Sequence, residues 1–369
     1  MTDAFFILSY ALIMKYVPDI PAIPEREPFK LEWRNGLLLR STNWLGDALM
    51  TLPAAWQASR ALPRACGFFV LCPAALAPLW SSCPWVDMVI PMQDRHVSGE
   101  ERKTLRRLAP GVALVFPNSF GSAMDVCRCG IPQKVGRSGR FRGWMLTHTI
   151  PEWPRAKGAG DRHQLFYYLE LVSSIVKLQP GISYPALKVD AQLAADFGIS
   201  GKGWLALAPG AAYGPAKQWP MEHFLELAKM QLAQGRKIVF VGTAKEAATT
   251  AQLSAQLPGS MDLAGRTNLA QLMAVLSTCE AVVANDSGAM HLAAALGTPG
   301  VAIFGSTDPV ATGPIGAQWR LLVSDKACRP CFKRTCPLAE GQYSCLSGIR
   351  PHDVAQQLEE LYVEAESVR

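Results

Sequence analysis

The sequence contains no apolar run able to cross a bilayer as a helix. Its N-terminal stretch Ala4-Phe-Phe-Ile-Leu-Ser-Tyr-Ala-Leu-Ile-Met14 falls well short of the roughly 20 residues a span requires. No basic leader precedes that stretch and no small-residue cleavage site follows it; Lys15, Pro18, Pro21 and Pro24 come instead. This argues against export and for a cytoplasmic protein. Charged residues are sparse at 18%, against 49% hydrophobic, a balance that excludes wholesale disorder. There is no short-period repeat and no low-complexity tract. A Gly-x-x-x-x-Gly-Lys-Ser/Thr loop is absent, as is a Gly-x-Gly-x-x-Gly after the first strand pattern, which counts against a P-loop ATPase and a nicotinamide dehydrogenase. Without a Gly-x-Ser-x-Gly elbow, an esterase has no support either. Ten cysteines are present, but a chain this large without an export signal is expected to keep them as thiols.

At 369 residues the chain exceeds what one hydrophobic core usually supports, so two domains are expected. Residues 1–35 read as an N-terminal extension, and the sequence leaves open whether it is a membrane-surface helix, a packing element or an upstream start. From Gly36, short apolar runs alternate with helical patterns: Gly36-Leu-Leu-Leu-Arg40, Gly67 to Cys72, Val86 to Ile90 and Val112 to Phe116. A second set begins at Trp204-Leu-Ala-Leu-Ala208 and continues through Lys237 to Val241, Ala281 to Ala284 and Val301 to Phe304, with helices expected at about Met221 to Gln234, from about Lys245 and at Leu269 to Thr278. Strands alternating with helices imply parallel sheets covered on both faces. The expected organisation is a Rossmann-like domain at 36–178, a linker at 179–203, a second Rossmann-like domain at 204–350, and a C-terminal amphipathic helix at 351–369 with Val354, Leu358, Leu361 and Val363 on its apolar side. Ligands of such sheets sit in the loops beyond the carboxyl ends of the strands.

Four of those loops carry candidate chemistry. In Arg40-Ser-Thr-Asn-Trp-Leu-Gly-Asp-Ala48, Asp47 reads first as a helix N-cap and alternatively as a general base. Ala208 to Pro220 is rich in small residues, allowing close backbone approach, and Lys217 offers a charge for a phosphate, or only a solvated loop lysine. Asn285-Asp-Ser-Gly-Ala-Met-His291 turns from a strand into a helix start, where the free N–H groups around Ser287 and Gly288 form an anion site. His291 could donate to the same phosphates or simply pack. Phe304-Gly-Ser-Thr-Asp-Pro309 is another such loop, and Leu263 to Leu269 resembles it in placement, with Thr267 near a base or ribose.

The net charge is +6, yet the stretch Arg95 to Arg162 alone holds 13 basic and 5 acidic residues. That basic face suits an anionic partner such as a nucleic acid, an acidic membrane or an acidic glycan, and equally a solvated surface. Cys328, Cys331, Cys336 and Cys345 are enough thiols for a tetrahedral zinc site, although the second pair is spaced wider than in a usual ribbon or finger. Reduced cysteines packing a loop are the alternative.

Taken together, Ser41-Thr-Asn-Trp-Leu-Gly-Asp47, Pro117-Asn-Ser-Phe120, Pro209-Gly-Ala-Ala-Tyr-Gly-Pro-Ala-Lys-Gln-Trp-Pro220 and Asn285 to His291 resemble, in order and spacing, the family 9 glycosyltransferases, the lipopolysaccharide heptosyltransferases. The Pro-Asn-Ser-Phe and Gly-Pro-Ala-Lys-x-Trp-Pro pieces are most similar to the heptosyltransferase II branch. The resemblance implies an α/β fold of GT-B type, two doubly wound domains facing across a cleft, with acceptor on the first and ADP-heptose on the second. It implies inverting transfer to the inner core of lipopolysaccharide with no cofactor and no obligatory metal. Asp47 would be the base, reversing the capping preference. Lys217, Tyr213, Thr267, Asp286, Ser287, Gly288 and His291 would bind the donor; Asn43, Asn118 and Ser119 would bind the acceptor. That acceptor would be Kdo-lipid A or a heptosylated core, met in peripheral contact with the cytoplasmic face of the inner membrane. Residues 1–35 depart from the family pattern, and Ala211-Ala212-Tyr213 stands where some members carry hydroxyls. The alternatives are a related transferase with another donor or acceptor, and a non-catalytic protein binding nucleotide or nucleic acid through its basic face, for which Trp144 and Trp153 lie among the arginines. No nucleic-acid partner is expected under the preferred reading.

Overall fold

The structure, a computed structural model, describes residues 6–8, 11–15, 23, 26–152, 163–181 and 184–367. These fall into two compact units, one of 23–152 with 163–188 and one of 189–367 together with the strands at 6–8 and 11–15. Within the basic stretch, residues 153–162, Trp153 and Arg162 among them, lie outside the described residues.

The first unit is built on a parallel sheet of six strands among the described residues. Across the sheet they run Met88–Met92, Gly67–Pro73, Gly36–Arg40, Val112–Val115, Gln133–Arg137 and His148–Ile150. Numbered within the unit this is the order 3-2-1-4-5-6, that of a doubly wound dinucleotide-binding sheet. Gly36–Arg40 and Val112–Val115 are buried throughout because helices cover both faces, which explains why they read as continuous apolar runs rather than alternating ones. The third strand begins two residues later than its hydrophobic pattern suggested: Asp87 instead accepts from the Phe68 backbone N–H at 2.7 Å, and its carboxylate marks the approach to the strand.

The second unit repeats the order. Met261–Asp262, Lys237–Phe240, Trp204–Ala208, Ala281–Asn285, Gly300–Phe304 and Trp319–Ser324 are again 3-2-1-4-5-6 and parallel. Two further strands continue the edge: Ala11–Lys15 pairs antiparallel with Trp319–Ser324, and Phe6–Leu8 pairs antiparallel with Ala11–Lys15. Of the readings open for the extension, that segment is therefore sheet rather than helix. Its core joins Leu205, Phe240, Val283 and Val301 to Phe224 of helix Met221–Ala233 and to Val354, Leu358 and Leu361 of helix Pro351–Ser367. Val363 departs from the apolar side expected for it and is 64% exposed. At about 100° per residue it points away from Leu361, and Tyr362 is buried in its place. The helix expected at about Met221 to Gln234 is Met221–Ala233, with Pro220 as its N-cap residue rather than its first helical one, and the helix expected from about Lys245 is Ala247–Ser254. No helix of the described residues is long and apolar enough to cross a membrane.

Candidate active site

In a 3-2-1-4-5-6 sheet the chain leaves strands 1 and 4 in opposite directions, so their loops splay and leave a crevice at the carboxyl edge. In the first unit those strands are Gly36–Arg40 and Val112–Val115; in the second they are Trp204–Ala208 and Ala281–Asn285. The motifs around Asp47, Asn118, Lys217 and Asp286 are the loops and helix starts that follow these four strands.

At the first switch point, Arg40 ends its strand almost completely buried. Its guanidinium donates to the Ser41 carbonyl at 2.5 Å and to Asn43 Oδ1 at 3.0 Å, and pairs with Asp125 Oδ2 at 3.4 Å. Burial lowers the Arg40 pKa, and Asp125 opposes that shift. The other Asp125 oxygen accepts from the Val97 N–H at 3.3 Å and meets His96 Nδ1 at 3.1 Å. Trp80 Nε1 donates to Ser41 Oγ at 3.0 Å. The loop before Asp47 is thus fixed from three sides. Helix Leu45–Arg60 has Trp44 as its N-cap residue, without a side-chain cap bond. Asp47 is accordingly the third helical residue and not the cap, which corrects the simplest reading of the motif. Its carboxylate is half-buried in the first turn, where the helix dipole favours the anion, and it is near enough to Tyr168 to add to the rise in that phenol's pKa caused mainly by burial.

Asn118 donates to Glu152 Oε1 at 2.6 Å. Ser119 caps helix Phe120–Cys127, accepting from the Ser122 N–H at 3.2 Å, so its hydroxyl already has a structural task. This loop is tied to the end of strand Gln133–Arg137 by Arg142, fully buried, which donates to the carbonyls of Pro117 at 2.5 Å, Ser119 at 3.4 Å and Arg137 at 2.9 Å. Burial brings its pKa down to about 10, still well above neutrality.

At the second switch point, Lys217 Nζ meets Asp286 Oδ2 at 2.5 Å, with both side chains largely buried. Thr307 donates its hydroxyl to the same Asp286 oxygen at 2.6 Å. Asn285 staples the two loops together: its Oδ1 accepts from the Trp219 N–H at 3.0 Å and its Nδ2 donates to the Pro209 carbonyl at 2.7 Å. The charges of Lys217 and Arg334 lie 5.0 and 5.2 Å from the Tyr213 ring centroid, and the Tyr213 hydroxyl donates to the Phe332 carbonyl at 2.8 Å. Tyr213 therefore positions the lysine loop. Ser287 precedes helix Gly288–Ala295 with no side-chain cap bond, and its hydroxyl is buried with no hydrogen-bond partner. The first N–H groups of that helix and this hydroxyl are the donors available to an anion. His291 is buried one turn into the same helix.

Thr267 follows strand Met261–Asp262, which lies three sheet positions from Ala281–Asn285, roughly 14 Å at ordinary strand spacing. Between them sits Glu246, whose Oε2 accepts from the Thr243 N–H and hydroxyl at 2.6 and 2.9 Å. A Cβ at Gly242 would lie 2.8 Å from that carboxylate, and one at Gly210 would collide with it. The glycines thus keep an acidic group accessible at the end of the second strand, the place where doubly wound sheets bind ribose hydroxyls. Asp125 and Glu246 belong to no short motif, and only their position opposite or beyond a strand end signals a role; Arg40 and Thr307 lie inside the first and fourth candidate loops, but their partners are distant in the chain. The four clustered cysteines are free thiols, Cys328 exposed and Cys331, Cys336 and Cys345 half-buried. Among the described residues no group of three or more His, Cys, Asp or Glu side chains is placed to hold a metal.

The sequence matches glycosyltransferase family 9 (heptosyltransferase) over residues 100–341. It is 31% identical over 352 residues to lipopolysaccharide heptosyltransferase 2 of Escherichia coli K12, covering 90% of this chain and 99% of that one. To lipooligosaccharide heptosyltransferase 2 of Haemophilus influenzae it is 28% identical, over 76% of this chain and 86% of that one. The solved E. coli ADP-heptose lps heptosyltransferase II superposes with a TM-score of 0.75 at 29% identity, covering 89% of this chain and 99% of that one.

Proposed function

Because the chain belongs to glycosyltransferase family 9, we propose that it transfers heptose from ADP-L-glycero-β-D-manno-heptose to the inner core of lipopolysaccharide. The observation that carries this reading is the Lys217–Asp286 pair beside an uncapped helix start at the second switch point. Such a site combines donors for a diphosphate with an acceptor for a sugar hydroxyl. The heptosyltransferase 2 relatives of E. coli and H. influenzae support the substrate class, and the solved E. coli ADP-heptose lps heptosyltransferase II supports the donor.

In this mechanism the donor occupies the second unit. Lys217 and the N–H groups around Ser287 and Gly288 hold the diphosphate, Asp286 accepts from a heptose hydroxyl, and Glu246 accepts from the ribose. The acceptor, Kdo-lipid A or a heptosylated core, occupies the first unit near Asn43 and the loop of Asn118 and Ser119. Its attacking oxygen forms a bond to the anomeric carbon as the bond from that carbon to the β-phosphate oxygen breaks. The electron pair leaves with ADP, and the proton of the attacking hydroxyl passes to the Asp47 carboxylate. Attack opposite the leaving group inverts the anomeric centre. Charge developing on ADP is met by fixed donors, so Lys217 and the helix terminus serve where other transferases use a divalent cation. The acceptor's lipid anchor brings the enzyme to the cytoplasmic face of the inner membrane.

The test is donor selectivity. Wild-type protein is incubated with a heptose-deficient core and, in turn, ADP-heptose, ADP-glucose and UDP-glucose, and nucleotide release is followed. ADP release with ADP-heptose alone is expected. Equal or greater turnover with another sugar nucleotide would reassign the donor.

A further inference from the structure

The first unit carries five exposed large hydrophobic side chains among the described residues: Trp44, Met88, Phe120, Phe141 and Trp144. Met88 opens its strand and so lies at the amino edge of the sheet. The other four follow the carboxyl ends of three neighbouring strands, Gly36–Arg40, Val112–Val115 and Gln133–Arg137. Phe141 and Trp144 stand out most, 93% and 71% exposed on one short loop.

That loop is built rather than loose. Arg140 and Phe141 take φ values of +48° and +55°, consecutive left-handed conformations that cost non-glycine residues energy. Gly139, at φ +105°, passes so close to Glu152 that a Cβ there would strike its carboxylate. The next residue after Phe141 is the buried Arg142, whose guanidinium ties the loop base to the Pro117 and Ser119 carbonyls. Met145 and Leu146 then turn into the core. Strained backbone, a buried arginine below and a buried anchor after it hold two large aromatics out in water, with the exposed Arg140 beside them. Aromatic rings next to a cation match the interfacial zone of an anionic bilayer, where rings sit at headgroup level and arginine meets lipid phosphate.

We propose that the loop 138–145 seats Phe141 and Trp144 in the interface of an anionic membrane and holds the acceptor-side loops against the surface that carries the lipid-anchored acceptor. This rests on the acceptor assigned above, so binding is measured first with no sugar substrate present. Full-length wild type, Phe141→Ser/Trp144→Ser and Met88→Ser are sedimented with vesicles of phosphatidylethanolamine and phosphatidylglycerol, and with phosphatidylcholine alone. Wild type and Met88→Ser are expected to bind the anionic vesicles, and the double variant to bind them about tenfold or more weakly. Turnover is then compared on core embedded in those vesicles and on the deacylated, water-soluble core. The double variant should lose turnover on the embedded acceptor alone. Unchanged vesicle binding by the double variant, no binding by wild type, or an equal loss on the soluble core would each overturn the proposal, the last because the rings would then contact the sugar. Concentration-dependent dimerisation abolished by the same substitutions, without vesicle binding, would overturn it in favour of self-association. Absence of transfer by wild type with vesicle binding intact would instead count against the assigned reaction.

Discussion

Replacing Lys217 by alanine should separate two roles of one side chain. The ammonium sits 2.5 Å from Asp286, with side-chain exposures of 13% and 4%. At an effective dielectric of about 20 the attraction is ~7 kcal/mol, most of it offset by the cost of taking both charges out of water. Removing the cation leaves that cost standing on Asp286, whose Oδ2 keeps the Thr307 hydroxyl. A loss of about 3 kcal/mol is expected, or a fall of ~6–12 °C in Tm by calorimetry for a unit of this size. Lys217→Ala/Asp286→Ala should recover most of it, as coupled sites do. ADP affinity should move differently. Loss of one charged hydrogen bond to phosphate costs about 1.5–3 kcal/mol, so titration calorimetry should show ADP binding ~10–150-fold weaker in Lys217→Ala. Asp286→Ala removes a competing anion from the lysine and should bind ADP at least as well as wild type. Equal weakening of ADP binding by both single variants would mean that Lys217 does not meet the phosphates and that the pair acts only as scaffold.

Other consequences follow from the same geometry. Asp47→Asn should lower kcat by roughly 10²–10⁴-fold while leaving the ADP Kd unchanged in the same titration. Glu246→Ala should weaken ADP about tenfold, the order expected for losing a hydrogen bond from a ribose hydroxyl to a charged group, with little effect on inorganic pyrophosphate as a competitor. Burial pushes the thiols of Cys72, Cys83, Cys129 and Cys279 up to about 12. The thiolate that reacts exists above the pKa, so at pH 8 it amounts to about one part in ten thousand. Mass mapping after native iodoacetamide treatment should find these four unlabelled and the exposed Cys328 labelled first. Leu358→Ala, in the core joining the C-terminal helix to the second sheet, should cost ~2–5 kcal/mol.

The α/β class and the strand order's consequence were legible because parallel strands covered on both faces leave unbroken apolar runs, as in Leu37 to Leu39 and Val301 to Phe304. The positions of Lys217 and Asp286 were equally legible, since each follows such a run. What the sequence could not convey were pairings between segments distant in the chain. Asp125 lies mid-helix with no pattern to mark it, yet it receives Arg40 from 85 residues away. Glu246 reads as an ordinary helix start until Gly210 folds against it. Asp47 reads as a cap because residue preference locates a helix start only to within a turn, and Trp44 is an unusual residue to precede one. Val363 shows the same limit at the other end, where a one-residue error in phase turns a core position into a surface one.

Mixing ADP-heptose with a heptose-deficient lipopolysaccharide core and weighing the glycan, with wild type and folded Asp47→Asn in parallel, puts the assigned reaction to a single test. Wild type should add one heptose and release an equal amount of ADP, and the variant should do neither at a comparable rate. Transfer by Asp47→Asn at the wild-type rate would remove Asp47 from the chemistry, and ADP binding by wild type without any transfer would contradict the assigned reaction.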